Sequence, residues 1–279
     1  MEFLHQLSVL SVDLSGLMRE HPLQITRPIL KYASEGWQPV EGRVIEENPV
    51  SLTVNGQVWL TFMCSPDQLE ALAAGFLFNE GVIHHRDEII QLRVCENQAN
   101  VDIWLSHPAE QPKTWQRASG CTGGVTNPAA VLNIHPVAQQ NVFTPAQLLA
   151  GMDQLYQVEG LYQQNRGLHN SALFDGQEIR CHAADIGRHN TVDKLAGQLL
   201  LNSKGDQISP RLVLTTGRIS SEMLQKSARL GAEVVISRTS PTRMAVRLAE
   251  ELGITLVGYA RKTEFIVYTW PDRVIGAFL

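Results

Sequence analysis

The chain has 279 residues, 44% apolar and 18% charged, enough to fill the core of one large or two smaller globular domains. Its net charge of -5 supplies no basic field for nucleic acid or an anionic membrane surface. No stretch approaches the roughly 20 apolar residues of a membrane span. Met1-Glu2-Phe3-Leu4-His5 lacks the basic start and apolar run of a secretory signal. The four cysteines, Cys64, Cys95, Cys121 and Cys181, are too far apart for zinc-ribbon or Cys-x-x-Cys spacing and suit a reducing compartment. A soluble, cytoplasmic protein is expected.

Residues 1–40 read as an N-terminal arm. Leu7, Leu10, Leu14, Leu17 and Met18 fit one helical face, Pro22 and Pro28 break the pattern, and Gly36-Trp37-Gln38-Pro39 reads as a linker. A small α+β domain is predicted over residues 41–140. Within it, segments 50–54 and 57–63 flank Asn55-Gly56, a strong two-residue hairpin turn. Ser65-Pro66-Asp67-Gln68 offers an N-cap, a proline at the first helical position and a capping-box glutamine. The predicted helix runs through Leu69, Leu72, Ala73, Phe76 and Leu77 to a stop at Gly81. Strands near 89–94 and 101–105 precede the loop Gly120-Cys121-Thr122-Gly123-Gly124, with which the small domain ends.

Residues 141–279 predict an α/β layered domain. Thr144-Pro145-Ala146-Gln147 repeats the helix-start chemistry, and segments 171–174 and 177–181 form a hairpin around Asp175-Gly176. Helices at 186–201, 220–230 and 240–252, the last capped by Ser240-Pro241, then alternate with apolar strands at 212–215, 233–236 and 254–257; a last strand covers 265–269. This alternation predicts crossover units and a largely parallel sheet covered on both faces.

Four constellations carry chemistry. Cys121 sits among glycines, which let backbone N–H groups approach closely and favour a thiolate; a turn cysteine without a role fits the same residues. Asp185-Ile186-Gly187-Arg188-His189-Asn190 crowds a predicted helix N-terminus, with Asp185 as candidate N-cap and Arg188 and His189 suited to an anion. Gly217 and Arg218, and also Arg238, lie at strand ends, where α/β sheets bind ligands. Tyr259-Ala260-Arg261-Lys262-Thr263-Glu264 follows another strand; its aromatic and cations suit a base and phosphate. Capped helices and ordinary βα turns are the plainer alternatives. The chain has no Walker lysine motif, and its His182-Ala183-Ala184-Asp185 only faintly echoes the zinc deaminase signature.

These segments together resemble the FdhD (FdhD/NarQ) family of sulfurtransferases required for formate dehydrogenase activity. The matching stretches run in order from about residue 44 to 270. They include Glu46-Glu47-Asn48-Pro49-Val50, Ser65-Pro66 to Gly81, the cysteine loop, His169-Asn170-Ser171-Ala172, Gly187-Arg188-His189-Asn190 to Lys194, Gly217-Arg218 to Lys226, and 256–261. The resemblance implies a persulfide on Cys121, received from a cysteine desulfurase and passed to a molybdenum or tungsten bis(molybdopterin guanine dinucleotide) cofactor destined for formate dehydrogenase. It also implies a homodimer, a larger domain similar to cytidine deaminase but without zinc, and nucleotide binding by residues 259–264. Two departures stand out. Many members carry Cys-x-x-Cys in the loop, whereas Gly124 occupies the second position here, so Cys121 is the only loop thiol. Lys262 stands where the family commonly has glycine. The alternative is a non-catalytic chaperone that binds and delivers the cofactor.

Overall fold

A computed structural model describes residues 24–112, 116–117, 125–126, 136–137, 141–160, 167–202, 208–209 and 211–277. It is a mixed α+β fold. The chain opens with a two-stranded antiparallel ribbon, β1 (Gln24–Ala33) and β2 (Gly36–Ile45), paired over its full length from Gln24↔Ile45 to Ala33↔Gly36. The segment expected to be a linker, residues 36–39, is therefore the start of β2, and the boundary placed at residue 40 falls inside that strand. Gly36, at φ 103°, closes the turn. Pro28 and Pro39 are tolerated because each strand of a two-stranded ribbon is an edge. Leu30, Tyr32 and Trp37 stand exposed on this ribbon.

A four-stranded sheet follows, in the order β4-β3-β6-β5. β3 (Asn48–Val54) and β4 (Gln57–Cys64) form the hairpin predicted around Asn55-Gly56, whose φ values of 49° and 80° match a primed turn. β6 (Asn100–Leu105) runs parallel to β3 and antiparallel to β5 (Ile89–Val94). Helix α1 (Leu69–Asn79) covers this sheet, and Gly81, at φ 73°, ends it. The expected cap at Ser65-Pro66 is not used. Gln68, at φ 52°, precedes the helix without a side-chain cap, and Ser65 is buried with its backbone bound elsewhere, as described below.

β7 (Gln116–Arg117) and β8 (Val125–Thr126) form a two-residue antiparallel ribbon. Cys121 itself lies outside the described residues.

The larger sheet has the order β10-β9-β11-β12-β13-β14. It is mixed rather than largely parallel. Only β11 (Leu212–Thr215), β12 (Val234–Ser237) and β13 (Thr255–Gly258) are parallel neighbours; β9 (His169–Phe174) is antiparallel to both β10 (Ile179–Asp185) and β11, and β14 (Ile266–Val267) to β13. The Asp175-Gly176 hairpin makes β9 and β10 antiparallel and inserts β9 beside β11. Both faces are covered. Leu173, Val213, Val235 and Leu256 pack toward α3 (Arg188–Leu201), α4 (Ser221–Arg229) and α5 (Arg243–Leu252). Phe174, Leu212, Leu214 and Ile236 pack on the other face toward α2 (Pro145–Gly160). The capping box at Thr144 forms as predicted, with the Gln147 amide donating to Thr144 Oγ1 (3.2 Å) and the Thr144 amide to Gln147 Oε1 (2.9 Å). Ser220 caps α4, whereas α5 is capped by Thr242, two residues beyond the expected Ser240-Pro241. Among the described residues no helix is long and apolar enough to cross a membrane.

The two sheets meet through α1 and α3. A Cβ added at Gly75 would lie 1.8 Å from the Asp193 carbonyl oxygen, and one at Gly197 1.9 Å from that of Ala71. The helices touch backbone to backbone, leaving no room for a methyl. Gly197→Ala is therefore expected to destabilise the protein by about 1–3 kcal/mol, read from urea unfolding. Gly36→Ala, which meets nothing within 4 Å but has positive φ, isolates the backbone-strain contribution.

Candidate functional site at the sheet end

The start of α3 is a buried polar cluster. Asp185 ends β10 and is not the helix cap; Gly187 holds that position. Asp185 Oδ1 accepts hydrogen bonds from the Gly187 amide and Asn190 Nδ2, both at 2.8 Å. Its Oδ2 accepts the Ser65 amide at 3.2 Å and pairs with Lys194 Nζ at 2.7 Å. Neither side chain of the ion pair is exposed. Lys194 also donates to the carbonyls of Ser65 and Ala184. One turn on, Asp193 receives Lys226 Nζ at 2.6 Å and Asn79 Nδ2 at 2.7 Å. Much of the polar excess seen in the sequence thus joins the two sheets. His189, read as an anion ligand, points its Nε2 at Glu222 Oε2 of α4, 3.1 Å away. Burial outweighs the attraction of Glu222 and holds this imidazole below its ordinary pKa. The two residues four apart, His189 and Asp193, both face α4.

Arg188 faces the strand ends. A Cβ on Gly217 would lie 3.1 Å from Arg188 Cβ and 3.3 Å from His169 Nδ1, so the glycine at the end of β11 lets these two side chains approach. His169 was not among the residues expected in the site. It arrives because β9 runs antiparallel to β11: Thr215 pairs with Ser171, so His169, two residues earlier, lies beside Gly217, a placement that strand direction decides. Burial, then the charges of Arg188 and Arg238, lower its pKa.

The remaining strand ends are bound together. Ser237 Oγ donates to the Gly217 carbonyl at 2.7 Å and accepts the Thr239 amide at 2.9 Å. The Ala260 amide donates to the Ser237 carbonyl at 3.0 Å, and the Tyr259 amide to the Thr239 carbonyl at 3.0 Å. Tyr156 of α2 donates its hydroxyl to the Ala260 carbonyl at 2.7 Å, and its ring lies 6.0 Å from the Arg238 guanidinium. Tyr259, at φ 51°, is 41% exposed. Ala260 is buried and serves through its backbone. Arg261 to Glu264 form a turn closed by the Arg261 amide on the Glu264 carbonyl at 2.8 Å; Arg261, Lys262, Thr263 and Glu264 are all exposed. With Arg218 and Arg238 also exposed, the ends of β9, β11, β12 and β13 make a cationic rim about 14 Å long, counted at about 4.8 Å per strand. Glu222, held low by the hydrogen bond from His189, is a carboxylate within range of the Arg188 charge.

Three thiols lie among the described residues. Burial pushes Cys64 up to about 12 and Cys181 up to about 11, so both stay protonated and inert. Cys95 is held in a turn, donating to Asn97 Oδ1 and accepting the Asn100 amide at 3.0 Å. His182, the residue of the faint deaminase echo, is buried against Asn170 Oδ1 at 3.0 Å. Among the described residues no group of three His, Cys, Asp or Glu is arranged to hold a metal ion.

Residues 45–275 match the FdhD/NarQ family. The chain belongs to the FdhD/NarQ family. Its relatives include the sulfur carrier protein FdhD of Bacillus subtilis (strain 168), 37% identical over 254 residues, covering 89% of this chain and 96% of that protein. The protein of the same name from Staphylococcus aureus (strain MRSA252) is 34% identical over 263 residues, covering 91% and 98%. A crystal structure described as a formate dehydrogenase accessory protein from Desulfotalea psychrophila superposes with a TM-score of 0.77 at 30% identity, over 91% of this chain and all of that one. The FdhD/NarQ match spans both sheets and every strand end of the rim.

Two outcomes follow from the buried groups. Lys194→Met leaves the Asp185 carboxylate buried without its cation, and the unfolding free energy is expected to drop by about 3–5 kcal/mol. His182 is held at about 4 by burial, below its ordinary 6.5, so the unfolded chain binds its proton more readily. That contribution is complete above about pH 6.5 and is lost as pH falls toward 4. Urea midpoints should therefore decline from pH 6.5 to 5, and His182→Gln should flatten that decline.

Proposed function

We propose that this chain is a sulfurtransferase that carries persulfide sulfur on Cys121 and delivers it to a nucleotide-bearing metal–pterin cofactor needed by formate dehydrogenase. The observation that carries this reading is the cationic rim, which joins an exposed tyrosine, arginines from three strand ends and the N-terminus of α3. That combination suits a guanine base and its phosphates. The names borne by the relatives support the sulfur-carrying half. The reactivity of the described thiols supports Cys121, because Cys64 and Cys181 are buried thiols and Cys95 is occupied in a turn.

In this reading the Cys121 thiolate attacks the outer sulfur of a cysteine desulfurase persulfide. The new S–S bond forms as the old one breaks, and the desulfurase thiolate leaves. Cys121 then holds the outer sulfur until the acceptor takes it. With Gly124 in place of a second loop cysteine, no neighbouring thiol can displace it prematurely as a loop disulfide. Arg218, Arg238, Arg261 and Lys262 hold the phosphates of a molybdenum or tungsten bis(molybdopterin guanine dinucleotide), which is cargo rather than a resident group. Tyr259 stacks on the base. Lys262 engages by its side chain where glycine would offer only backbone. The working form is a cytoplasmic homodimer that meets a cysteine desulfurase and the catalytic subunit of formate dehydrogenase.

Incubation with a cysteine desulfurase and cysteine should add sulfur to the intact protein by mass, and Cys121→Ala should abolish the gain while Cys95→Ser leaves it. Equal loading of Cys121→Ala would overturn the assignment. Restoration of formate dehydrogenase activity by Cys121→Ala in cells lacking the native protein would favour a chaperone that delivers the cofactor without sulfur chemistry. Arg218→Ala and Arg261→Ala should each weaken guanosine diphosphate binding by about tenfold or more in calorimetric titration.

A further inference from the structure

A second concave site lies away from the rim, where the turn after α1 meets the last turn of α3 and the end of α4. The cleft has a volume of roughly 500 Å³, within the usual range for small-molecule sites. Its apolar wall comes from Phe78, Leu199, Leu200 and Leu230. Its polar wall comes from His84, His85, Arg86, Arg211 and Arg229. Among the described residues no carboxylate lines it, although the chain as a whole is acidic. Acids stand just outside this lining, and Asp87 directly follows Arg86. Glu80 lies 3.7 Å from Lys226 Nζ, and Glu88 accepts the His84 and His85 amides and meets His107 Nε2 at 2.9 Å.

The arginines are seated by backbone. A Cβ on Gly81 would lie 3.1 Å from an Arg229 guanidinium nitrogen, and one on Gly231 3.5 Å from that of Arg211. Both glycines have positive φ, 73° and 71°, where they end α1 and α4. Arg211 is further fixed by donating to the carbonyls of Ile208 and Leu230, at 3.0 and 2.9 Å. Burial lowers the pKa of Arg229, against the pull of Glu80, which marks a guanidinium partly stripped of water. Clustered cations beside leucines suit a dianionic head on an apolar body better than a neutral ligand.

We infer that this cleft binds a small phosphate monoester with an apolar body, at a site distinct from the cationic rim. The site does not depend on the sulfur-transfer reading, and a failure here would leave that reading intact. Phenyl phosphate is the probe, titrated calorimetrically into the full-length protein. One site per chain is expected, with inorganic phosphate and phenylacetate each binding about tenfold more weakly, because one lacks the ring and the other the second charge. The imidazole proton resonances of His84 and His85 should shift on binding. The double substitution His85→Glu and Arg86→Glu, at two exposed positions, should abolish the heat while leaving guanosine diphosphate binding unchanged; loss of the His85 cap and of the Arg86 bond to the Ile89 carbonyl should lower the melting temperature only modestly.

The inference is overturned if phenyl phosphate does not bind, or if its binding survives the double substitution. It also fails if the His169 resonance shifts while those of His84 and His85 do not, which would place the probe on the rim. Equal affinity for inorganic phosphate would remove the apolar half of the site, and equal affinity for phenylacetate the phosphate half.

Discussion

Everything in this molecule that faces its sheet end depends on the ion pair between Asp185 and Lys194. Neither side chain is reached by solvent, and their atoms lie 2.7 Å apart. Removing two charges from water is expensive, so a pair of this kind is tolerable only when its remaining hydrogen-bonding capacity is filled. Here it is filled from three places in the chain: the Gly187 and Asn190 groups of α3, the Ala184 carbonyl of β10, and both backbone groups of Ser65. Any displacement of α3 would strand a buried charge. The helix is thereby held where its first residue, Arg188, meets Gly217 and His169, and where its body presses on α1.

The α1–α3 contact adds a steric constraint to this electrostatic one. Gly75 and Gly197 permit backbone contact, while Asp193 binds Asn79 of α1 and Lys226 of α4 at once. The smaller sheet is therefore anchored through α3 to the larger one by polar groups as well as by apolar packing. A polar helix face buried in this way looks, in sequence, like a ligand site.

That resemblance explains which readings of the sequence held and which did not. The Asn55-Gly56 and Asp175-Gly176 hairpins, the Thr144 capping box and the Ser220 cap were legible because their partners lie within a few residues. Ser65-Pro66 had the same local signature and does not cap its helix, because its backbone is claimed by Asp185 and Lys194 some 120 and 129 positions away. Residues 36–39 read as a linker because proline and glycine punctuate short windows, while the ten-residue register with β1 decides their structure. The alternation of helices and apolar strands revealed the layers but not strand direction, and it is the reversed β9 that brings His169 to the site. Arg218, Tyr259 and Arg261 were legible as strand-end residues, since a run of buried β-branched residues followed by polar ones announces where a strand stops.

The short ribbon of β7 and β8 limits the reach of what it carries. Arg117 and Val125 are paired, and Cys121 is four residues from each. A fully extended chain covers at most about 3.3–3.6 Å per residue, so the Cys121 Cα can never stand more than about 14 Å from that ribbon. In the proposed reaction the thiol thus works on a short covalent tether. The persulfide donor and the rim-held cofactor would each have to come within that reach of the ribbon to exchange sulfur with Cys121.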